Sequence, residues 1–393
     1  METYGDNTAD RPLRVIQVGM HERGSGGGVD HFFWDLFDHL VSFPELSLAA
    51  FFFRHRPVAV EVRPGEYCLG STSLSGGRRL WNLRRAVLTR LADESAVKSS
   101  VIVSHFAFYA SALLPQLKRS KHVVHFQGPW AIESATEGKG RLNVMLKRVI
   151  EHAVYSSASA FIALSRAFRE LLIAEYGVPS ELIHVIPPAV DLQRFVLGGQ
   201  QEARRRLGWP QDATIILCVR RLARRMGLEV LIEAFRQVVF SHPRALLFLG
   251  GTGALRSELA AKIESHGLSQ RVRLLGFIPD DQLATAYQAA DLSVVPSQSL
   301  EGFGLTTLES LACGTPVLVT PVGGLPDAVN GLSTDLVLPD RSAAALATTL
   351  DCFLRRTLAV PSSAKCRHHV ETEFAWQRIA MQIKTLYQQV ANN

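Results

Sequence analysis

Cysteine is scarce and scattered. Cys68, Cys218, Cys313, Cys352 and Cys366 are five in 393 residues, an odd number with no Cys-x-x-Cys spacing, so neither a disulfide framework nor a zinc site is indicated. Long apolar runs are missing as well: stretches such as Leu46 to Phe53 fall far short of the ~20 residues a membrane helix needs. The segment Met1 to Asp10 is polar and acidic rather than basic-then-apolar, which argues against a signal peptide. Charge of one sign does not accumulate either. The formal net charge is +6, with 20% charged and 47% hydrophobic residues; this is the balance of an ordinary globular protein, and nothing in it calls for nucleic acid. The expectation is a cytoplasmic protein, or one lying peripherally on the inner face of the membrane.

What the chain has in abundance is alternation. Leu13 to Gly19 reads as a strand, Gly24 to Gly28 as a glycine loop and Val29 to Leu40 as a helix, the opening unit of a doubly wound sheet. Further strands are expected at 46–54, 101–104, 122–126, 160–164 and 183–187. Pro187-Pro188 and the irregular run to Gly198-Gly199 read as a linker. The pattern then restarts, with strands at 214–219, 245–249, 272–275, 292–295, 316–320 and 336–338, helices at 228–240, 254–266, 281–290 and 305–312, and a last helix over 374–390. The expected fold class is α/β: two facing Rossmann-like doubly wound domains with parallel sheets and an interdomain cleft, a common place for a small-molecule site.

Chemistry-bearing residues collect at the strand ends of the second half. After the strand at 292–295 come Glu301, the turn Gly302-Phe303-Gly304 and a helix bearing Glu309, stopped by Gly314 and Pro316. An isolated Glu on a helix flank is ordinarily an ion pair or a solvated side chain, but two carboxylates around a glycine turn favour a ligand site. Arg220-Arg221-Leu-Ala-Arg224-Arg225-Met226-Gly227 lies between a strand and a helix N-terminus, where amide N–H groups, the helix dipole and guanidinium groups suit a phosphate or diphosphate. Gly250-Gly251-Thr-Gly253 follows the next strand and permits close backbone approach. Gly276-Phe277-Ile278-Pro279-Asp280 ends another, with Asp280 as an expected helix cap. In the first half His125 ends a strand, placed either to face the crevice or to pack as a structural histidine. Two basic segments, one from Arg78 to Arg90 around Trp81 and one with Lys139, Arg141, Lys147 and Arg148, are either solvated faces or contacts for an anionic membrane surface or acceptor.

These motifs together carry a resemblance. Glu301-x7-Glu309 around Gly-Phe-Gly, Gly314-Thr-Pro-Val, Gly323-Gly324-Leu-Pro-Asp327, Arg221-Leu-x-x-x-x-Gly227 and Ile186-Pro-x-x-Val-Asp191 occur in the order seen in the retaining nucleotide-sugar glycosyltransferases of family 4, which have the GT-B fold. The similarity runs from about residue 13 to 390. It implies an acceptor-side domain over 1–190 plus 375–393 and a donor-binding domain over 191–374. It implies that Glu301 grips hydroxyls of the donor sugar, aided by main-chain N–H groups of Phe303, Gly304 and Leu305, that Glu309 binds the ribose diol, and that Arg221 neutralises the diphosphate. Gly253 and the Phe277, Ile278, Pro279 segment resemble the nucleotide-binding loops; Gly26, Gly27 and Gly28 resemble the glycine loop near the phosphates; and His125 resembles the histidine beside the transferred sugar.

The implied reaction is hexosyl transfer from a UDP- or GDP-sugar to an acceptor hydroxyl, with a lipid-linked or cell-surface polysaccharide intermediate expected as acceptor. No cofactor is implied, and without any Asp-x-Asp pair no divalent metal is demanded. Met226 departs from the family pattern, which usually has Lys there; Arg225 or Arg224 is expected to supply the charge instead. Ala254, Pro188-Ala189 and Asp327 also replace commoner residues. Two alternatives stay open: a catalytically idle nucleotide-binding subunit, and an NADP-dependent oxidoreductase. An NAD enzyme is disfavoured because the strand at 46–54 leads into Arg54-His55-Arg56 rather than an acidic residue.

Overall fold

The structure is a computed structural model, and it describes residues 11–23, 28–55, 62–92 and 99–393. The chain forms two units, one made of residues 1–164, 168–187 and 376–393, the other of residues 165–167 and 188–375. Each holds one parallel sheet.

In the first unit the strands are β1 (Leu13–His21), β2 (Leu46–Arg54), β3 (Glu66–Ser71), β4 (Ser100–Ser104), β5 (Lys121–Phe126), β6 (Ala160–Ala163) and β7 (Ile183–Val185). Their order is β3-β2-β1-β4-β5-β6-β7, and every pairing is parallel. Parallel sheets bury both faces, which is why β1 and β2 read as almost unbroken apolar runs: Val15, Ile16 and Val18 are buried, as are Ala49 to Phe53. β3 was not foreseen. Its sequence, Glu-Tyr-Cys-Leu-Gly-Ser, has neither an apolar run nor a clean alternation, and the strand sits at the sheet's edge, largely half-buried.

The last helix, Trp376–Asn392, returns to this unit. Trp376 lies 5.5 Å from Phe32 between ring centroids and stacks on His39 at 4.8 Å. Lys384 binds Glu45 at 2.9 Å and lies over the Phe43 ring. Tyr387 is hydrogen-bonded through its hydroxyl to His125 Nε2 at 2.7 Å.

The second unit has β8 (Thr214–Val219), β9 (Ala245–Gly250), β10 (Val272–Gly276), β11 (Leu292–Val295) and β12 (Val317–Val319), in the order β10-β9-β8-β11-β12. The expected strand at 336–338 is instead a 3-10 turn, Thr334–Leu336, followed by a single bridge from Val337 to Val319. Three residues gave too little pattern to tell a bridge from a strand.

Three histidines of the first unit are held neutral. His105 and His122 have their pKa values pushed down to about 3 by burial, and His125 is held well below the usual range by burial and by the neighbouring His105. His105 stacks on His125 at 4.4 Å, while His122 is hydrogen-bonded to Ser104 and Ser157. The folded state resists protonation and the unfolded chain does not, so their stabilisation is complete above about pH 6.5 and is lost as pH falls below it. Each contributes a slope of about 1.4 kcal/mol per pH unit in that window. We predict that His105→Phe removes one such slope: unfolding free energies of variant and wild type, measured by denaturant from pH 7 down to pH 5, should converge by about that amount per unit. Parallel profiles would contradict the assignment.

Candidate functional site

Because all five strands of the second unit are parallel, their carboxyl ends lie on one edge, and the loops leaving them are tied together by backbone hydrogen bonds. Arg220 N–H donates to Gly250 O (2.9 Å), Gly251 N–H to Gly276 O (2.6 Å) and Leu222 N–H to Thr252 O (2.8 Å), joining the exits of β8, β9 and β10. On the other side Gln298 N–H donates to Arg225 O (2.7 Å) and Gly324 N–H to Glu301 O (3.0 Å). Thr320 Oγ1 donates to Ser297 O (2.7 Å). These crossings are close enough to need glycine. A Cβ on Gly227 would sit 1.8 Å from Pro296 O, and one on Gly323 1.8 Å from Glu301 O, with both residues at positive φ. Gly253, at φ +155°, is likewise pressed against Leu222 O.

At the centre of this edge Glu301 is paired with Arg220. One carboxylate oxygen accepts from Arg220 Nη2 and from Ser297 Oγ at 2.8 Å, while the same Nη2 reaches Ser297 Oγ at 2.9 Å and Met226 Sδ at 2.8 Å. The two charged side chains are only 7% and 12% exposed. Arg221, chosen from the sequence, has an exposed side chain. Consecutive residues at a strand end point to opposite sides, so only one of the two arginines faces Glu301, and it is Arg220. Met226 is buried beneath that guanidinium.

Arg224, offered above as a source of charge, is exposed and pairs with Glu229 and Glu258. Arg225 donates from Nη1 to the carbonyl of Leu300 at 3.1 Å. Leu300 has φ +53°, a left-handed conformation rare for a branched side chain, and its carbonyl is thereby held while Glu301 turns inward.

Gly304, at φ +81°, precedes the helix Leu305–Ala312, whose first amide groups have no intrahelical partner by geometry. Phe303 is buried with its ring edge-on to Phe374 at 5.4 Å. Glu309, one turn into the helix, accepts from the Tyr287 hydroxyl at 3.0 Å; burial and the neighbouring carboxylate hold that phenol well above its usual pKa, so it remains a donor. Phe277 projects into solvent at 69% exposure, whereas Ile278 packs on Gly250. Asp280 is not a side-chain cap: it is the first residue of the helix Asp280–Ala289 and pairs with Arg194 at 3.1 Å.

The first unit gives a different outcome for His125. It is 1% exposed and closed in by Phe32, His105 and Tyr387. The expectation that it faces a crevice is corrected: on β5 its side chain lies on the sheet face covered by the first and last helices, and its contacts are those of a packed structural histidine. Gln127, just past the strand, has a side-chain Nε2 with no hydrogen-bond partner. Gly28 is the exposed first residue of the helix Gly28–Leu40, and Gly26 and Gly27 lie outside the described residues. Arg220, Ser297 and Tyr287 were missed by sequence reasoning. Strand parity was a usable signal for Arg220; Ser297, four residues before Glu301 in the same loop, carried no distinguishing pattern, and Tyr287 comes from a separate helix.

The family described as Glycosyl transferases group 1 matches residues 199–369, and Glycosyltransferase Family 4 matches residues 26–194. A D-inositol 3-phosphate glycosyltransferase of Corynebacterium jeikeium is 32% identical over 280 residues, 68% of this chain and 66% of that protein. A mannosylfructose-phosphate synthase of Agrobacterium fabrum is 31% identical over 62% of this chain and 56% of its own. The chain spans about half to two thirds of the length of such curated relatives. In fold it is similar to a sucrose-phosphate synthase from Thermosynechococcus elongatus (TM-score 0.77, 24% identity, 96% of this chain and 99% of that one). It is also similar to an Anabaena protein solved with UDP and glucose (TM-score 0.75, 19% identity, 96% and 99%). The chain belongs to the family 4 glycosyltransferases and has their GT-B fold, two parallel-sheet α/β domains.

Removing one partner of a buried ion pair leaves the other charge uncompensated, at a cost of about 3–5 kcal/mol. Arg220→Leu is therefore expected to destabilise the second unit by that order, and Arg220→Leu with Glu301→Leu by much less. Equal losses in denaturant titrations of the two variants would show that the pair is not buried as described. Gly323→Ala is expected to lose more than about 1 kcal/mol, the excess over an ordinary loop substitution reflecting the carbonyl it would strike; a neutral effect would contradict the close approach.

Proposed function

We propose that this protein is a retaining, metal-independent hexosyltransferase that moves a sugar from a UDP- or GDP-sugar to an acceptor hydroxyl on a lipid-linked or cell-surface polysaccharide intermediate, working at the cytoplasmic face of the membrane. The observation that carries the reading is the strand-turn-helix bearing two carboxylates in different surroundings: Glu301 in the turn, paired with Arg220, and Glu309 in the helix, held by Tyr287. A nucleotide sugar has hydroxyl clusters at both ends and a dianionic diphosphate between. Glu301 accepts from hydroxyls of the sugar, Glu309 from the ribose diol, and the amides of Phe303, Gly304 and Leu305 donate to sugar or phosphate oxygens. Gly253, Phe277 and Ile278 border the nucleoside, and Arg225 fixes the loop that carries Glu301.

In the reaction the bond from the sugar's anomeric carbon to the diphosphate breaks and a bond to the acceptor oxygen forms on the same face. The acceptor's proton passes to the departing diphosphate oxygen. The protein's task is to stabilise negative charge on that leaving group, and guanidinium groups with helix N-termini suit it. Arg221, exposed beside the buried pair, is the guanidinium we assign to the diphosphate. The idle-subunit alternative is supported by Met226, which removes a usual cation; it is separated by turnover.

The reading is tested by thermal melting with UDP, GDP, ADP, NAD and NADP, followed by turnover of sugars carried by the stabilising nucleotide. UDP or GDP should raise Tm and the other three should not. Arg221→Ala should then lower kcat by about 10²–10³, with the unliganded Tm unchanged. Stabilisation by NADP alone, or near-normal turnover of Arg221→Ala, would overturn the assignment.

A further inference from the structure

A cavity of about 400 Å³ opens in the first unit at the carboxyl ends of β1, β4 and β5. Its walls include Phe106 and Trp130, ring against ring at 4.9 Å, and two cations. Arg79 reaches the Tyr109 hydroxyl at 2.7 Å and leaves its buried Nε without a partner, while Lys147 lies 4.7 Å over the Trp130 ring and binds Ser134 Oγ at 2.6 Å. No carboxylate is among the described lining residues. An aromatic wall suits the face of a sugar or polyol, and the cations suit a phosphate.

One wall is the helix Arg141–Tyr155, and it continues outward in an unusual way. Leu142, Met145, Leu146 and Val149 are 76%, 61%, 59% and 59% exposed. Their spacing of i, i+3, i+4, i+7 makes one stripe, and Leu146 belongs both to the stripe and to the cavity wall. Single exposed apolar residues need no explanation, but a continuous helical stripe does. Exposed Lys139 and Arg141 flank it, Arg148 beside them is paired with Glu175 at 3.1 Å, and the helix's acidic residue, Glu151, is buried on its other side. A helix with an apolar stripe and basic flanks is built to lie in an anionic interface. Two copies of this face would set cations against cations, so charge favours lipid over self-association.

We propose that the acceptor is an amphiphile with a phosphate-bearing headgroup: the headgroup enters the cavity between Trp130, Arg79 and Lys147, and the hydrocarbon chain lies along Leu142, Met145, Leu146 and Val149. This rests on the glycosyltransferase reading for the word acceptor, but the binding site stands on its own geometry.

The test uses the whole chain and three probes: dodecyl phosphate below its micellar concentration, glycerol 3-phosphate, and dodecyl maltoside. Dodecyl phosphate should raise Tm and bind at least about tenfold more tightly than glycerol 3-phosphate, since burying even two methylenes is worth that factor. Leu142→Glu with Val149→Glu should abolish this advantage and the protein's sedimentation with phosphatidic acid vesicles. Arg79→Gln with Lys147→Gln should abolish the preference for dodecyl phosphate over dodecyl maltoside. Glycerol 3-phosphate binding as tightly as dodecyl phosphate, an unchanged stripe variant, or a dimer in light scattering that the stripe variant dissolves would each overturn the proposal. The nucleotide-induced Tm shift, measured on the same samples, reports separately on the donor reading.

Discussion

A carboxylate that is almost out of water has to be matched, and the organisation of the second unit follows from that constraint. Glu301 stands at the exit of β11 with Arg220 and Ser297 on one oxygen. To bring Arg220 there, β8 must end one residue before the basic loop and the exits of β9 and β10 must lock onto it through Gly250 and Gly276. To turn Glu301 inward, Leu300 takes a left-handed conformation, held by Arg225, and Gly323 must carry no side chain. The methionine at 226 also belongs to this arrangement. A lysine there would bring a second cation against Arg220, whereas a thioether gives the guanidinium a polarisable floor.

Most of the fold was readable because parallel α/β sheets write themselves plainly: buried apolar strands, glycine exits and amphipathic helices in alternation. What escaped had physical reasons. β3 is an edge strand with no apolar run, and 336–338 is a bridge too short to carry a period. In the site, Glu301, Glu309 and the glycines lie within one local motif and could be found by spacing. Arg220 and Arg221 are neighbours of one type: the motif marks Arg221 for the diphosphate and gives no signal for Arg220, which only strand parity places beside Glu301. Ser297 lies in the same loop but without a telling spacing, and Tyr287 joins the site only through tertiary contact.

His125 shows the opposite failure, in which a residue of suggestive chemistry turns out to be packing. Its neutral ring anchors Tyr387, and through it the last helix, to the sheet of the first unit. The polar surface of that unit lies elsewhere, at the strand ends lined by Trp130, Arg79 and Lys147, where an aromatic wall, two cations and an exposed apolar helix stripe meet. In the proposed reaction the two units would divide the labour: one would hold hydroxyls and diphosphate with its carboxylates and arginines, the other would receive an amphiphile.

The central claim, transfer with retention from a nucleotide sugar, is tested most directly by proton NMR of the first sugar anomer formed when the purified protein is given a nucleotide α-linked sugar with an acceptor or, failing that, water. The account predicts that the new anomeric signal is α. An initial β anomer would contradict the same-face mechanism, and no turnover with any UDP- or GDP-sugar would contradict the assignment of activity itself.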